Sequence, residues 1–367
     1  MMKTIKYIIV SVLAMFATTS CNTLDIEDIY DYNAELVWND QSPVNAYMAN
    51  LYANVFSNWS PSLDQSTQQL SGIVFYPDRI NMTNGEYKLW NYTNIRLINE
   101  AIQNVSAGNL PDNFKNEIIA QSKFLRAYVY FDMVVYHGGV PYITVPQDKD
   151  KDDLYVKRNS TKECFDLIIK DLDDAIGDLP ERISTSSANF GKIDGCFATA
   201  FKAKVLLYKA SPQFNPSNKW DNAYWKEAYA ANEAAYNKLK GLGYALTPDY
   251  ANIFLNERGP EVVFSVINTY PNKTANWDYG VRPGSESRGN AWASPTWDFV
   301  KEFPMKDGKL YNDPTSKYYK TDANFLQSYW LNRDPRFDKS VVWNGSVYEV
   351  SNKKGNRQYT ALGVADV

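Results

Sequence analysis

Residues 122–144 have the sequence SKFLRAYVYFDMVVYHGGVPYIT. Its large apolar side chains recur at the spacing of one helix face: Phe124, Tyr128, Phe131 and Val135. The pattern ends at His137, where two glycines follow and Pro141 lies just beyond, as is usual at a helix C-terminus. We therefore predict a helix over residues 113–135 whose apolar face packs against other helices.

Similar helical spacing occurs on both sides of this stretch. The predicted apolar faces are Val44, Met48, Leu51 and Val55; Ile95, Ile98, Ile102 and Val105; Phe165, Ile168, Leu172, Ile176 and Leu179; Ala200, Ala203, Leu207 and Ala210; and Trp225, Tyr229, Tyr236 and Leu239. Ser160 and Glu163 have the spacing of a capping box at a helix start. Helices that each bury one face against the next are typical of tetratricopeptide-like repeats. Residues 41–250 are therefore predicted to form a mainly α region of such helix pairs, joined by loops.

Residues 251–367 have a more mixed character. Residues 261–267, EVVFSVI, have the composition of a strand. Residues 270–295 are rich in Gly, Asn, Ser and Trp, and Asp307-Gly308 is a turn signal. We predict long loops and a few short strands in this region.

The first twenty residues are predicted to be a lipoprotein signal peptide. A positively charged start is followed by an apolar run over residues 8–17, which is too short to span a bilayer. Small residues then lead directly to Cys21, the predicted lipidation site, although Thr18 stands where the usual pattern has Leu. An ordinary secretory signal with an incidental cysteine is the alternative. Residues 21–40 are acidic and without a helical pattern, which predicts a flexible tether.

Composition excludes some classes of protein. Over 367 residues, 38 Lys and Arg nearly balance 42 Asp and Glu, and no basic stripe indicates a nucleic-acid partner. Aromatic residues make up 15% of the chain, and the 27 Tyr and 10 Trp suit surfaces that need an apolar face with a polar edge. Cys164 and Cys196 are predicted either to pair or to be buried free thiols.

Several segments resemble the SusD/RagB family of outer-membrane lipoproteins. They follow the family's order: SKFLRAYVYFDMVVYHGGVPYIT (122–144), ATAFKAKVLLYKASP (198–212), PDYANIFLNERGPEVVFSV (248–266), SPTWDFVKEFPMKDG (294–308) and NRDPRFDKSVVWNG (332–345). Cys21 stands where such proteins carry their lipid anchor. Family members usually continue well beyond the last segment, so residues 251–367 are similar to a C-terminal region that is apparently truncated at Val367.

The resemblance implies a largely helical fold with four tetratricopeptide-like units. It implies a lipid-anchored protein on the outer membrane, facing the cell exterior, which captures oligosaccharides. It also implies a partner, a SusC-like TonB-dependent transporter, on which the protein sits as a lid. A surface glycosidase and a scaffold that binds only protein are the alternative functions, although no pair of Asp or Glu residues stands out as catalytic.

In the family, glycan contacts come mainly from two loop regions, which here are residues 72–90 and 268–296. Sugars present C–H faces that stack on Trp and Tyr, and hydroxyls that pair with planar polar groups. The predicted glycan-binding residues are Trp277, Tyr279, Arg282 and Trp292 in the second loop, and Tyr76, Asp78, Arg79 and Asn81 in the first. Local packing within a long loop is the alternative for each, whereas Trp90 is predicted to be a core residue of the next helix.

Other polar residues are predicted to be structural. His137 is the one histidine and lies at a helix C-terminus, where an imidazole is favoured, so no catalytic residue is assigned. Asp148, Asp150 and Asp152 alternate like the start of a calcium loop, but the Gly and Glu that an EF-hand needs later are missing. No metal site or cofactor is therefore predicted, with calcium in another geometry left open. Arg333, Asp334 and Arg336 are expected to form a turn closed by ion pairs.

Lipidation at Cys21 makes a testable prediction. In a cell that processes lipoproteins, Cys21→Ser should move the protein from the membrane fraction to the soluble fraction, because the thiol that carries the acyl chains is gone. Mass spectrometry of the wild-type N-terminus should show a diacylated Cys21. Cys164→Ser is the control and should remain membrane-bound. An unmodified Cys21, or cleavage elsewhere, would contradict the assignment.

Overall fold

The computed structural model describes residues 37–56, 70–71, 90–216, 220–268, 271, 281–283, 294–349 and 353–359. The predicted signal peptide and Cys21 lie outside these residues. Residues 37–40, the end of the predicted tether, are described. There, Trp38 packs edge-on against Tyr47 with ring centroids 4.9 Å apart. Asp40 then caps the first helix by accepting a hydrogen bond from the Ser42 N–H. Trp38 and Asp40 therefore belong to the folded body rather than to a flexible tether.

The described residues form six longer helices, which follow one another along the chain. They are α1 (Gln41–Val55), α2 (Tyr92–Ala107), α3 (Asp112–His137), α4 (Thr161–Asp178), α5 (Gly195–Ala210) and α6 (Tyr224–Gly241). The shorter elements are β1 (Leu70–Ser71), a 3-10 helix (Tyr250–Ile253), β2 (Ser294–Pro295), α7 (Trp297–Glu302), α8 (Asp322–Leu326) and α9 (Pro335–Ser340). Among the described residues, no helix is both long and apolar enough to cross a membrane.

Each helix from α2 to α5 packs against the next one, and α1 packs against both α2 and α3. This succession gives the mainly α, superhelical architecture that the sequence predicts. The largest fully buried side chains lie chiefly on α2, α3 and α4, so α3 forms the centre of the helical core.

Local signals define α3 and α4 as predicted. Gly138 ends α3 with φ of 69°, a left-handed conformation that favours glycine. A Cβ atom on Gly139 would lie 2.0 Å from the Asn159 carbonyl oxygen, so only glycine allows the two chain segments to approach this closely. Ser160 and Glu163 form the predicted capping box at the start of α4.

A buried ion pair ties α3 to α4. Arg126 donates from Nε and Nη2 to the two carboxylate oxygens of Asp171, at 2.8 and 2.7 Å, and both side chains are almost fully buried. Burial alone would lower the pKa of Arg126, but the hydrogen bond and charge of Asp171 outweigh it and the pKa is raised. Arg126 also donates to Asn99 Oδ1 on α2 and to the Thr144 carbonyl, so one guanidinium joins three helices and the segment after α3.

Two predicted helix faces are only partly correct. On α5, Ala203 and Ala210 are buried as predicted, but Leu207 is 44% exposed, and Phe201 and Val205 are buried as well. On α6, Tyr229 and Tyr236 are exposed, and the buried residues are small alanines, Ala228 and Ala235. Small side chains let α5 and α6 approach closely, which turns the aromatic rings outward.

The predicted strand at residues 261–267 is also wrong. This segment is irregular and pairs with no strand of the described residues. Phe264 holds it against the helices instead, because its ring stacks on Phe197 of α5 at 4.3 Å and packs against Phe56 at 4.9 Å. Cys164 and Cys196 are buried free thiols, so the alternative that they pair is excluded.

In the C-terminal region, Arg333 has a different role from the predicted one. It is 3% exposed and donates to the carbonyls of Val300 and Phe303 at the end of α7, rather than to a carboxylate. Burial lowers its pKa to about 10. Asp334 does pair with Arg336, and it caps α9. The predicted turn at Asp307-Gly308 is present, with Gly308 at φ of 77°.

The buried ion pair makes a stability prediction. Arg126→Ala should lower the free energy of unfolding by about 3–5 kcal/mol, because Asp171 is left buried without its counter-charge. The matched control is Arg96→Ala, which removes an exposed i,i+4 pair with Glu100 and should cost less than about 1 kcal/mol. Urea denaturation followed by circular dichroism measures both values, and equal losses would contradict the central role of Arg126.

Candidate functional site

The two predicted glycan-binding loops meet at a short strand pair. β1 pairs antiparallel with β2, with Leu70 opposite Pro295 and Ser71 opposite Ser294. The chain therefore enters the first predicted loop beside the point where it leaves the second. Of the eight predicted contact residues, Arg282 is described, and its side chain is half-buried. The other seven lie outside the described residues and stay predictions: Tyr76, Asp78, Arg79, Asn81, Trp277, Tyr279 and Trp292.

A cavity of about 410 Å³ is partly lined by residues 264–267, which lie just before the second predicted loop in the chain. Its wall comes from α1, from the turn at residues 188–192 and from residues 264–267, which directly precede the second loop. The lining residues are Asn45, Met48, Ala49, Tyr52, Ala53, Phe56, Gln121, Ala188, Asn189, Phe190, Gly191, Lys192, Phe264, Val266 and Ile267. Most of these are apolar, and the volume suits a small organic ligand.

The apolar part of the wall is built on the helical core. Phe56, the residue after α1, packs edge-on against Tyr128 of α3 with ring centroids 5.1 Å apart. Phe197 lies 4.8 Å from Phe124 and carries the stacked ring of Phe264. Because these rings lock against α3 and α5, the cavity wall is rigid where it meets the helices.

Tyr52 joins three parts of the wall by hydrogen bonds. Its hydroxyl donates to Gln121 Oε1 at 2.8 Å and accepts from the Ile193 N–H at 2.9 Å. Gln121 in turn donates to Glu117 at 3.0 Å. Burial raises the pKa of Tyr52 far above its ordinary value, so the phenol stays neutral. The polar atoms at the inner end of the cavity are thus occupied by protein partners.

The turn at residues 188–192 needs a glycine. Gly191 has φ of 99°, and a Cβ atom there would lie 2.8 Å from Ile267 Cγ1. The turn is closed by the Lys192 N–H, which donates to the Asn189 carbonyl at 3.0 Å. Asn45 and Asn189 are exposed and Lys192 is half-buried, so these three side chains form the polar mouth of the cavity.

The arrangement suits binding of a ligand with apolar faces and polar edges. The inner wall supplies apolar surface, and the mouth supplies hydrogen-bonding groups. Among the described lining residues there is no Asp or Glu, so this part of the wall holds no pair of carboxylates for hydrolysis. The cavity could not be found from the sequence because its wall comes from segments that are far apart in the chain. The available signal for the cavity was a pair of small residues on one side of α1, Ala49 and Ala53, which are exposed in the structure.

Two further candidates can be placed. Trp90 is 48% exposed, so its predicted core position is wrong, and its ring stacks on His137 at 4.2 Å. Burial and the charge of Arg158 lower the pKa of His137, and the imidazole lies at the end of α3, as predicted.

Asp148 pairs with Lys151 in an exposed loop, and the described residues contain no group of acidic, His and Cys side chains that could hold a metal ion.

Comparison with known proteins gives consistent matches. A family profile described as "Starch-binding associating with outer membrane" matches residues 17–207, and a SusD family profile matches residues 260–365. The chain is 27% identical over 195 residues to SusD-like protein P38 of Formosa agariphila; the match spans 49% of this chain but 34% of that relative.

Solved structures share the fold. A SusD-like protein of Bacteroides fragilis superposes with a TM-score of 0.69 at 22% identity, over 84% of this chain and 62% of that one. A SusD-like carbohydrate binding protein of the same organism gives 0.68 at 19% identity, over 85% and 61%. This chain therefore spans less than two thirds of the length of each of these relatives.

The hydrogen bonds of Tyr52 make a prediction about the wall. Tyr52→Phe should lower the free energy of unfolding by about 1–3 kcal/mol, because the Ile193 N–H and Gln121 Oε1 lose a buried partner. Amide exchange at Ile193 should also become faster. Tyr229→Phe, at an exposed tyrosine on α6, is the control and should change neither quantity. An unaltered stability of Tyr52→Phe would show that the hydroxyl does not join the wall.

Proposed function

The chain belongs to the SusD/RagB family, and on that premise we propose that it binds an oligosaccharide at the cell surface and delivers it to a SusC-like TonB-dependent transporter. The cavity lined by α1, residues 188–192 and residues 264–267 carries this proposal. Its volume of about 410 Å³ accommodates sugar rings. Its apolar wall matches the C–H faces of a pyranose, and its polar mouth matches the hydroxyl groups.

The loops extend the site in this proposal. β1 and β2 bring together the chain where it enters the first predicted loop and where it leaves the second, and the predicted stacking residues Trp277, Tyr279 and Trp292 would add aromatic surface to the site. A glycan chain would then lie across the loops with one unit in the cavity. The aromatic residues would supply most of the affinity, because stacked rings bury much area with little loss of side-chain freedom.

The proposed function is binding without cleavage. Glycoside hydrolysis ordinarily needs two carboxyl groups about 5–9.5 Å apart across the bond that breaks. The described lining residues include neither of these two carboxyl groups, which favours a binding protein over the surface glycosidase. Incubation with polysaccharides followed by an assay for new reducing ends distinguishes the two, because a binding protein produces none.

The remaining parts of the proposal concern location and partner. Acyl chains on Cys21 would hold the protein on the outer membrane, facing the exterior, with the residues between Cys21 and Trp38 as the tether. A SusC-like transporter would be the receiving partner. The alternative, a scaffold that binds only protein, predicts co-purification with a barrel transporter but no glycan affinity.

Filling the cavity tests the proposal. Ala53→Trp on α1 should weaken oligosaccharide binding at least about tenfold, because an indole at this exposed lining position occupies the space meant for a sugar. Ala230→Trp, the same change at an exposed position of α6, is the matched control and should leave affinity unchanged. Isothermal titration against a panel of neutral and acidic oligosaccharides measures both.

Two outcomes would count against the proposal. Equal affinities of Ala53→Trp and wild type would place the glycan elsewhere on the protein. No binding to any member of the panel, with a chain that is folded by circular dichroism, would contradict glycan binding itself.

A further inference from the structure

The charge at the mouth of the cavity indicates the class of glycan, an inference that rests on the function proposed above. Among the described lining residues, Lys192 carries the single formal charge. The polar residues beside it are uncharged amides and the neutral phenol of Tyr52. A ligand in this cavity therefore meets one positive charge and no negative charge from the described wall.

Lys192 forms no ion pair with any carboxylate of the described residues, unlike Lys209, which pairs with Asp166 at 3.0 Å, or Lys123, which pairs with Asp174 at 2.8 Å. Its side chain is half-buried and lines the cavity, so its ammonium group is available to pair with a ligand. An anionic ligand group would supply the missing partner.

A second cation lies close to the same wall. The Arg258 guanidinium stacks over the ring of Phe190, a lining residue, 4.8 Å from its centroid. It donates to the Thr185 carbonyl and, like Lys192, forms no ion pair with the described carboxylates. Arg258 therefore packs on the turn that contains Lys192, and both positive charges contribute to the field near this part of the cavity.

Two carboxylates near Tyr52 are already engaged by protein groups. Glu117 and Asp194 lie close enough to Tyr52 to influence its ionisation, but neither lines the cavity. Glu117 accepts from Gln121 Nε2, and Asp194 accepts from the N–H groups of Ile183 and Phe197. These hydrogen bonds direct both negative charges toward protein donors rather than toward a ligand.

We propose that the cavity selects an acidic glycan, with a sugar ring packed against Phe190 and Phe264 and its carboxylate or sulfate paired with Lys192. A charge-assisted hydrogen bond from Lys192 to such a group is stronger than one to a hydroxyl. Because the mouth is open to solvent, the attraction is screened by salt, and the preference for acidic glycans falls as ionic strength rises.

The test uses glycans that differ only in charge. Alginate and polygalacturonate oligosaccharides are compared with the same chains after reduction of their carboxyl groups to alcohols, and a sulfated galactan is compared with its desulfated form. Wild type should bind at least one acidic member about tenfold more tightly than its neutral counterpart in low salt. The uronate and sulfate arms show which anion is accepted.

Lys192→Gln should remove most of that preference, with about a tenfold loss for the acidic glycan and less than a twofold change for the neutral one. Lys162→Gln is the control: it makes the same change in net charge at an exposed position of α4 and should leave the preference intact.

The outcomes distinguish the preference for acidic glycans from glycan binding itself. Equal binding of acidic and neutral forms, unaffected by Lys192→Gln, would overturn the charge preference and leave glycan binding in place. A preference that survives Lys192→Gln but disappears in Lys162→Gln would also overturn the assigned site. Absence of binding to every glycan would overturn both the preference and the proposed function.

Discussion

The pairing of Arg126 with Asp171 is the interaction on which the rest of the structure depends. A guanidinium buried in the middle of α3 needs a carboxylate, and Asp171 on α4 supplies both oxygens. The Tyr142 hydroxyl donates to the same carboxylate at 2.9 Å, and Tyr130 bonds both the N–H and the carbonyl of Ile143. The chain that follows α3 is thereby tied back onto it, which sets where α4 begins and how the later helices pack.

The cavity depends on this frame through aromatic contacts. Phe124 lies two residues before Arg126 on α3 and touches Phe197, which carries Phe264 at the cavity wall. Tyr52 adds a polar link from α1 to Gln121, one turn earlier on α3. Residues far apart in the chain therefore meet the same rigid helix. A binding site with fixed walls loses little conformational freedom when a ligand enters.

Much of the helical region could be predicted because its signals are local. The buried residues Val44, Met48 and Leu51 of α1, the capping box of α4 and the glycine end of α3 all follow from spacing within one element. The faces of α5 and α6 could not be predicted by hydrophobicity alone. There, close approach through Ala228 and Ala235 outweighs the burial of Tyr229 and Tyr236.

The site was harder to predict for a physical reason. The cavity is formed by tertiary packing of α1, a glycine turn and residues 264–267, and none of these segments has a motif of its own. Residues 261–267 have the composition of a strand but find no strand partner among the described residues, since Phe264 is held by a helix. The resemblance to a family indicated the two loops, whereas the cavity wall is formed only when the chain packs.

In the proposed function, a helical frame centred on α3 presents a glycan-binding cavity between α1 and residues 264–267. Hydrogen exchange measured by mass spectrometry, with and without the oligosaccharide that binds most tightly in titration, tests this proposal. We expect slower exchange on binding in peptides that contain residues 45–56, 188–193 and 262–267, and no change in α6. Slower exchange confined to α6, or absent from all three cavity segments, would contradict it.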